Sequence, residues 1–377
     1  MFVNFWYAAA LSSELGAAPR RVRMLGQHFV LFRDRAGRPH CLANACVHRC
    51  GSLAQGWVSG DHVVCPYHGW EFDGEGRCRR IPSLGPDQPT PPGRARVDSY
   101  PTVERYGIVF AFLGDLPEAE RPPLMPVPEW DDPAWRCTPD VFEVAANYRR
   151  LVENALDFGH AEFVHFVGRR GADPAYRVPD YALHETAWGA GAEVAFPRQA
   201  RGLWRFFSDA AQRTRAGSEY HGPAQFVTRI RIDARMWAWQ YVFETPVDEL
   251  HTRTYLVNAR NFFTSRLFDG VNARRNARIV GEDRAIVEQL EPALPSDDAA
   301  GDLSVKADAI QLHYRRSLRA WQARGWRIDV ERLRAATPGS RLFLVPSPAR
   351  REARNWGFDT VPARAGPATI DGLADHA

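Results

Sequence analysis

Residues 46–51 read CVHRCG, and residues 65–70 read CPYHGW. Each short stretch supplies one cysteine and one histidine: Cys46 and His48 in the first, Cys65 and His68 in the second. Glycines in both stretches permit tight loops, and Pro66 stiffens the second loop. The pattern therefore predicts two loops that present two thiolates and two imidazoles to one metal centre.

Two kinds of metal site fit these ligands. Zinc sites use cysteine and histidine, but their sequences usually place the cysteines together and the histidines together. One of each per loop suits the Rieske form of a [2Fe–2S] cluster, in which both thiolates hold one iron and both imidazoles hold the other. Tyr67 and Trp70 are placed to shield such a cluster from water. On this motif alone, a zinc-stapled binding protein remains an alternative.

A second group of candidate ligands begins with His160 and His165, within residues 153–165 (ENALDFGHAEFVH). Five residues rotate by about 140° on an ideal helix, so the two imidazoles would not share a face of a regular helix. Gly159 permits a local irregularity that brings them together. Non-haem iron(II) oxygenases use two histidines and one carboxylate, which leaves positions open for oxygen.

The carboxylate is expected in residues 278–290 (RIVGEDRAIVEQL). A helical stripe is formed there by the apolar residues Ile279, Ile286, Val287 and Leu290. Asp283 falls within this stripe and Glu282 falls outside it. A carboxylate on an apolar face is costly unless it is paired or bound to a metal, so Asp283 is the predicted third ligand. The alternative is a buried salt bridge from Asp283 to an arginine.

These stretches resemble those of the Rieske non-haem iron oxygenases. The Rieske signature is matched by residues 46–49, Leu53, Gly56 and 65–73, and Cys50 departs from it because the family commonly has glycine there. The family's Asn-x2-Asp-x2-His-x4-His motif is matched by Asn154, Asp157, His160 and His165. Asp283 matches its Glu-Asp helix. The resemblance spans residues 5 to 345, approximately.

The resemblance implies an α+β fold in which an all-β Rieske [2Fe–2S] domain is followed by a helix-grip (START/Bet v 1-like) catalytic domain with an antiparallel sheet. Asp157 corresponds to the family's bridging carboxylate, which hydrogen-bonds His160 and the His68 of a neighbouring subunit in a homotrimer. Asn154 then lies beside the mononuclear Fe(II) site of His160, His165 and Asp283.

By the same resemblance, the chain is a terminal oxygenase component that mono-oxygenates or oxidatively demethylates a hydrophobic, aromatic or polycyclic small molecule. It uses O2 and electrons from NAD(P)H, delivered by a separate reductase directly or through a ferredoxin. The alternatives are a ring cis-dihydroxylating dioxygenase of the same family and a non-catalytic Rieske electron carrier. Arginines near the cluster are candidates for docking the redox partner, and equally for solvated surface: Arg49, Arg77, Arg79 and Arg80.

The amino-acid composition excludes several other classes of protein. The 377 residues carry 48 Lys+Arg against 45 Asp+Glu, and the arginines are scattered among acids, so a nucleic-acid-binding stripe is not expected. No apolar run approaches the roughly 20 residues of a membrane span, and the start of the chain lacks the basic leader of a signal peptide. A cytoplasmic protein with reduced thiols is therefore expected, in which Cys41, Cys50, Cys78 and Cys137 are packing residues rather than ligands.

The predicted organisation has three parts: a Rieske domain over 1–120, a catalytic domain over 121–345 and an extended C-terminal extension over 346–377. Alternation predicts a strand over residues 22–34 and long antiparallel strands over 224–262. Helices are predicted over 148–166, over 269–290 and around Ile310. Half or more of the aromatic residues considered for the pocket should be core: Trp204, Phe206, Phe207, Trp237, Trp239, Tyr241, Phe243, Phe262 and Phe263.

Overall fold

The computed structural model describes residues 1–87, 90–166, 174–197, 213–296, 302–336 and 341–364. The first part of the chain consists of short strands: β1 Phe5–Leu11, β2 Arg20–Met24, β3 Gln27–Arg33, β4 Pro39–Ala43, β5 Trp57–Ser59, β6 His62–Val64, β7 Glu71–Phe72, β8 Cys78–Arg80, β9 Ser99–Tyr100, β10 Thr102–Arg105 and β11 Ile108–Leu113. They form sheets in the orders β2-β3-β4-β9, β5-β6-β7-β8 and β1-β11-β10. The predicted strand over 22–34 is a hairpin, because Leu25 and Gly26 take positive φ and turn the chain.

A larger antiparallel sheet follows, formed by β12 Arg136–Val144, β13 His184–Thr186, β14 Gly189–Pro197, β15 Arg213–His221, β16 Gln225–Arg231, β17 Trp237–Pro246 and β18 Thr252–Arg260. Among the described residues its order is β12-β18-β17-β16-β15-β14-β13. The last strand, β18, therefore returns to pair with the first, β12, and β12 and β13 are the two edges of the sheet. The predicted strands over 224–262 correspond to β16, β17 and β18.

The α-helices are α1 Tyr148–Leu156, α2 Ala161–Val164, α3 Asp269–Val287, α4 Ala309–Ala323, α5 Val330–Ala336 and α6 Ala349–Glu352. Of these, α1, α3 and α4 pack against the larger sheet. The apolar residues of α4 are buried at helical spacing, as expected: Ile310, Tyr314, Leu318 and Trp321. The apolar stripe expected on α3 is wrong in part. Val287 is buried, but Ile286 is 46% exposed and Leu290 lies beyond the end of the helix and is also exposed. The inward side of α3 carries Ile279, Val280 and Asp283 and faces a cavity instead.

The two faces of the larger sheet have different partners because side chains alternate along each strand. On β17, Trp239, Tyr241 and Phe243 belong to a buried cluster that includes Ala8 of β1 and Phe110 of β11. We call this side the packed face. The intervening residues of β17 lie on the other side, which we call the cavity face.

The C-terminal segment closes the fold against the first part of the chain. It contains β19 Phe343–Leu344 and β20 Asp359–Thr360, which pair in parallel. Arg350 makes two hydrogen bonds to the buried Asp98, of 2.6 and 2.7 Å, and Ser347 donates a third of 2.6 Å. The expected extended tail is therefore wrong for residues 346–364, because a buried carboxylate needs these partners. Residues 365–377 lie outside the described residues.

The fold class is as expected: an all-β part precedes an α+β part built on one antiparallel sheet with few helices. The division at residues 120 and 345 stays a prediction. None of the helices that the structure describes has the length and apolar character of a membrane span.

Candidate active site

The two Cys-His loops have the same backbone architecture. In the first, which follows β4, the Cys46 N–H donates to the Gly51 carbonyl and the Cys50 N–H donates to the Cys46 carbonyl. In the second, which joins β6 to β7, the corresponding bonds run from Cys65 to Trp70 and from Gly69 to Cys65. The four bonds are 2.8–2.9 Å long. Each cysteine is thus fixed at the start of a matching tight loop.

Cys50 and Gly69 occupy equivalent positions in these loops, and both have positive φ, +56° and +71°. Only glycine adopts this left-handed conformation without steric cost. The neighbouring Gly51 is also required by space, since a Cβ there would lie 3.0 Å from Sγ of Cys65. The departure of Cys50 from the family pattern therefore falls at a position where the backbone favours glycine.

The four candidate ligands pair by chemical type. The thiols of Cys46 and Cys65 are each 1% exposed and hydrogen-bonded to each other, which lowers the pKa of Cys65 and raises that of Cys46. The rings of His48 and His68 are exposed, and their centroids lie 4.4 Å apart. Trp70 stacks on His48 at 4.7 Å, and Tyr67, although 61% exposed, has its ring centroid 4.0 Å from that of His68. This arrangement, with the two thiols buried and the two imidazoles at the surface, suits a binuclear cluster.

The second group of candidate ligands lies at a break in the helix predicted over 148–166. α1 ends at Leu156, and α2 is a single turn that His160 precedes and His165 follows. His165 has extended backbone angles, so the chain leaves the turn there. The Nε2 atoms of the two rings lie 3.3 Å apart. The irregularity expected at Gly159 therefore brings together two imidazoles that a continuous helix would separate.

Asp283 completes this group from α3. Its Oδ1 lies 3.5 Å from Nε2 of His160 and 3.6 Å from Nε2 of His165. Among the described residues, these three form the one set of potential ligand atoms that lie within 4.8 Å of one another. The Asn154 amide donates a 3.0 Å hydrogen bond to the same Oδ1 and orients the carboxylate. The pairing with an arginine that we considered for Asp283 is not formed among the described residues.

Asp157 contacts His160 differently from the expected bridge. Nδ1 of His160 bonds to the backbone carbonyl of Asp157 at 2.7 Å, whereas the carboxylate Oδ2 is 4.0 Å away. The other carboxylate oxygen accepts a 2.7 Å hydrogen bond from the Gly159 N–H. The side chain is half-buried, which leaves part of the carboxylate accessible at the surface.

A cavity of about 230 Å³ opens beside His160, His165 and Asp283, between the cavity face of the sheet and the helices α1 and α3. Its apolar lining includes Phe196, Phe226, Val242, Leu256 and Ile279. Its polar lining from the sheet comprises Ser218, Thr228, Gln240, Glu244 and Thr254.

The aromatic residues considered for the pocket lie elsewhere. Trp239, Tyr241 and Phe243 are on the packed face, and Trp237 contacts Trp135 on the same side. Phe262 and Phe263 do not line the cavity, and Trp204, Phe206 and Phe207 lie outside the described residues. The part of the walls that the described residues form is therefore less aromatic and more polar than the sequence suggested.

Two family profiles match the chain. The profile of the Rieske [2Fe–2S] domain matches residues 5–101, and that of the vanillate O-demethylase oxygenase C-terminal domain matches residues 144–324. The first contains both Cys-His loops, and the second contains His160, His165 and Asp283. The chain belongs to the Rieske oxygenases. Its cofactors are accordingly a Rieske [2Fe–2S] cluster and iron.

Curated relatives of this Rieske oxygenase include a 4beta-methylsterol monooxygenase of Methylococcus capsulatus, which is 37% identical over 177 residues. The oxygenase component of dicamba O-demethylase of Stenotrophomonas maltophilia is 36% identical over 162 residues. These alignments cover 46% and 43% of this chain and 47% of each relative. The chain thus spans about half the length of the curated relatives it matches.

Solved structures show the same fold over most of the chain. NdmA of Pseudomonas putida CBB5 with caffeine has a TM-score of 0.72 at 23% identity, covering 85% of this chain and 91% of that one. Dicamba monooxygenase bound to dicamba has a TM-score of 0.70 at 24% identity, covering 88% and 98%. The likeness extends across both parts of this Rieske oxygenase.

Sequence reasoning missed one residue of the site. Glu282, which the helical stripe placed outside, has its Oε2 3.3 Å from Nδ1 of His165 and accepts a hydrogen bond from the Phe166 N–H. The sequence did contain a signal for Glu282, namely a second carboxylate beside the expected ligand Asp283. A histidine that binds a metal through one ring nitrogen usually hydrogen-bonds a carboxylate, a carbonyl or water through the other.

The arginines proposed for docking are largely engaged within the Rieske part. Three of them form ion pairs of 2.6–2.8 Å: Arg77 with Glu75, Arg79 with Asp73, and Arg80 with Glu71. Arg49 is exposed beside His48. Of the cysteines outside the ligand pair, Cys41 and Cys78 are buried, and burial raises the pKa of both.

Proposed function

We propose that the chain is a terminal oxygenase component that uses O2 and electrons from a separate NAD(P)H reductase to mono-oxygenate or oxidatively demethylate a hydrophobic small molecule. The observation that carries this proposal is the convergence of His160, His165 and Asp283 at the wall of a mostly apolar cavity. A non-catalytic electron carrier would have no use for such a second site.

The donor set fits mononuclear iron. Two imidazoles and a carboxylate on one side of a metal leave the opposite positions open, as in non-haem iron oxygenases. Donor atoms bonded at about 2.1 Å and at right angles lie about 3 Å apart, near the 3.3–3.6 Å separations here. Iron at His160, His165 and Asp283 would supply the activation of O2. The Glu282 and Asn154 side chains would hold two of these ligands in orientation.

The donor set of the two loops fits a Rieske cluster better than zinc. In a tetrahedral zinc site, all four ligand atoms are mutual neighbours. Here the thiols of Cys46 and Cys65 contact each other in the interior and the rings of His48 and His68 contact each other at the surface. Such pairing by type suits one iron with two thiolates and another with two imidazoles.

The position of the imidazoles at the surface supports assembly as a homotrimer. His68 is exposed, and the Asp157 carboxylate is accessible near His160. The bridging role proposed for Asp157 requires both groups to meet across a subunit boundary. The six cysteines form no disulfide bond, which supports a reducing compartment such as the cytoplasm.

The size of the cavity supports a compact substrate, and the relatives support the type of reaction. A volume of about 230 Å³ is below the roughly 300–1,000 Å³ of most ligand sites, which favours one ring over a fused ring system. The curated relatives quoted above are a monooxygenase and an O-demethylase component. Mono-oxygenation or demethylation is therefore preferred to cis-dihydroxylation.

The test is a product screen with the iron-loaded protein, a surrogate reductase, NADH and O2 over methoxyaromatics, N-methyl compounds and fused-ring compounds. His160→Ala should keep the red-brown cluster spectrum and lose turnover, whereas His184→Ala, an exposed histidine on β13, should keep both. Turnover that survives His160→Ala would refute the iron assignment. A colourless protein would refute the cluster.

A further inference from the structure

Glu244 is the most deeply buried charged side chain in the lining of the cavity. It is 3% exposed and lies on β17 opposite Thr254 of β18, which is 6% exposed. The Thr254 hydroxyl donates a 2.6 Å hydrogen bond to Oε2 of Glu244. Both side chains line the same cavity as His160, His165 and Asp283.

One oxygen of this carboxyl is available to a ligand of the cavity. Thr254 is the one side chain bonded to Glu244 among the described residues, and it occupies Oε2. The other oxygen, Oε1, accepts no hydrogen bond from the residues that the structure describes, and the side chain lines the cavity. A buried polar group with spare bonding capacity that faces a ligand cavity is completed by the ligand.

Several other polar groups of the cavity are already engaged, whereas the side chains of Gln240 and Arg275 have no partner among the described residues. The Ser218 hydroxyl donates 2.7 Å to the Ala155 carbonyl, and Asn154 holds Asp283. Arg284 pairs with Glu288 at 2.6 Å. Among these available groups Glu244 is the most deeply buried, since Gln240 and Arg275 are only partly buried.

The surroundings of Glu244 favour its neutral, protonated form. No cation pairs with it among the described residues, and its neighbours on the cavity face of β17 and β18 include Val242 and Leu256. Burial raises the pKa of Glu244 to about 8. A protonated carboxyl that accepts from Thr254 presents its own O–H as a donor.

We infer that Glu244, held by Thr254, donates a hydrogen bond to a neutral acceptor on the substrate, a carbonyl or hydroxyl oxygen, and thereby selects which end of the substrate faces His160, His165 and Asp283. The inference rests on the proposed function, since it assigns the substrate class of the same cavity. Glu244 is then a substrate-binding residue that determines specificity. The substrate is a compact apolar molecule with one such oxygen remote from the carbon that is oxidised.

Four probes that share a methoxyphenyl core test this assignment by equilibrium dialysis against the iron-loaded protein, without reductant. Para-methoxyacetophenone offers a neutral acceptor, para-ethylanisole lacks it, para-methoxybenzylamine offers a cation and para-methoxybenzoate offers an anion. We expect the acetophenone to bind about tenfold more tightly than the ethylanisole, the value of one good hydrogen bond. Glu244→Gln keeps a donor of the same shape and should retain this preference within about threefold.

Glu244→Leu should abolish the preference, and Glu193→Leu, an exposed glutamate of β14 outside the cavity, should leave it unchanged. If Glu244→Leu fails to fold, the infrared carbonyl stretch of the bound ketone decides. That stretch should be lowered in the wild-type protein and altered by Glu244→Gln.

Three results would overturn the inference. The first is the absence of any preference for the acetophenone. The second is tightest binding of the amine with loss in Glu244→Gln, which indicates a carboxylate that awaits a cation. The third is tightest binding of the benzoate, which indicates Arg275, a cavity-lining arginine of α3. Because no turnover is measured, failure of the proposed function appears separately, as missing product in a protein that keeps its binding preference.

Discussion

Glu282 holds the outer nitrogen of His165: its Oε2 lies 3.3 Å from Nδ1, while Nε2 of the same ring faces Asp283 at 3.6 Å. The carboxylate is itself held by Arg278, which donates a 3.1 Å hydrogen bond to Oε1. The ring of His165 is therefore fixed between two consecutive residues of α3. Glu282, which the sequence analysis placed outside the apolar stripe of the helix, is therefore in contact with a proposed iron ligand.

Replacing Glu282 by glutamine should weaken iron binding by about tenfold, because carboxylate partners of metal-binding histidines typically contribute 10–100-fold to affinity. Titration of the metal-free protein with Fe(II) under anaerobic conditions measures this. Glu288→Gln, on the same helix and paired with Arg284, is the matched control and should bind iron normally. Equal affinities in the two variants would contradict the role of Glu282.

Cys50→Gly should stabilise the Rieske part by about 0.5–1 kcal/mol. The substitution removes a side chain from a left-handed backbone position, and the greater freedom of glycine in the unfolded chain offsets part of the gain. The midpoint of chemical unfolding, followed by the visible absorption of the cluster, measures it. Cys50→Ala keeps the Cβ and should show no gain. Equal stabilisation by alanine and glycine would instead point to the thiol.

Arg350→Met should destabilise the protein by about 3 kcal/mol, because it leaves the buried Asp98 without its cation. Limited proteolysis should then cleave the segment after residue 345 more rapidly. Arg351→Met, whose ion pair with Asp115 is half exposed, should cost less than about 1 kcal/mol. Equal effects of the two variants would show that the C-terminal segment is held by other contacts.

The proposed ligands were accessible from the sequence because each group is local. The spacing of Cys46, His48, Cys65 and His68 is set by two short loops, and a loop of six residues constrains its own geometry. His160 and His165 likewise depend on one break in one helix. Contacts between these groups, such as the approach of Asp283 to the two histidines, join residues that are distant in sequence. Predicting them required the family pattern or the structure.

The walls of the cavity were not accessible in the same way. Alternation along β17 separates Trp239, Tyr241 and Phe243 from Gln240 and Glu244, but it does not say which side is packed. That choice is made by Phe110 of β11, more than a hundred residues away, which packs against the aromatic side. We therefore assigned the aromatic residues of β17 to the pocket from the sequence, whereas the alternate residues Gln240, Val242 and Glu244 line it.

The burial of Glu244 predicts how stability depends on pH. Its pKa in the folded protein is about 8, above its ordinary 4.5, so the native state binds more protons than the unfolded state between these values. The stability contributed by the protonated carboxyl is complete below pH 4.5 and is lost as the pH rises through 8. The loss is at most about 5 kcal/mol, at about 1.4 kcal/mol per pH unit over that interval.

The difference in free energy of unfolding between the wild-type protein and Glu244→Gln isolates this effect, because other titrating groups are common to both. Glutamine cannot ionise, so the variant should gain stability relative to the wild type from pH 5 to pH 9, with most of the gain complete at the alkaline end. Chemical unfolding at each pH measures the difference. A difference that is flat over this range would mean that Glu244 is ionised in the folded protein, and it would remove the donor on which the proposed substrate contact depends.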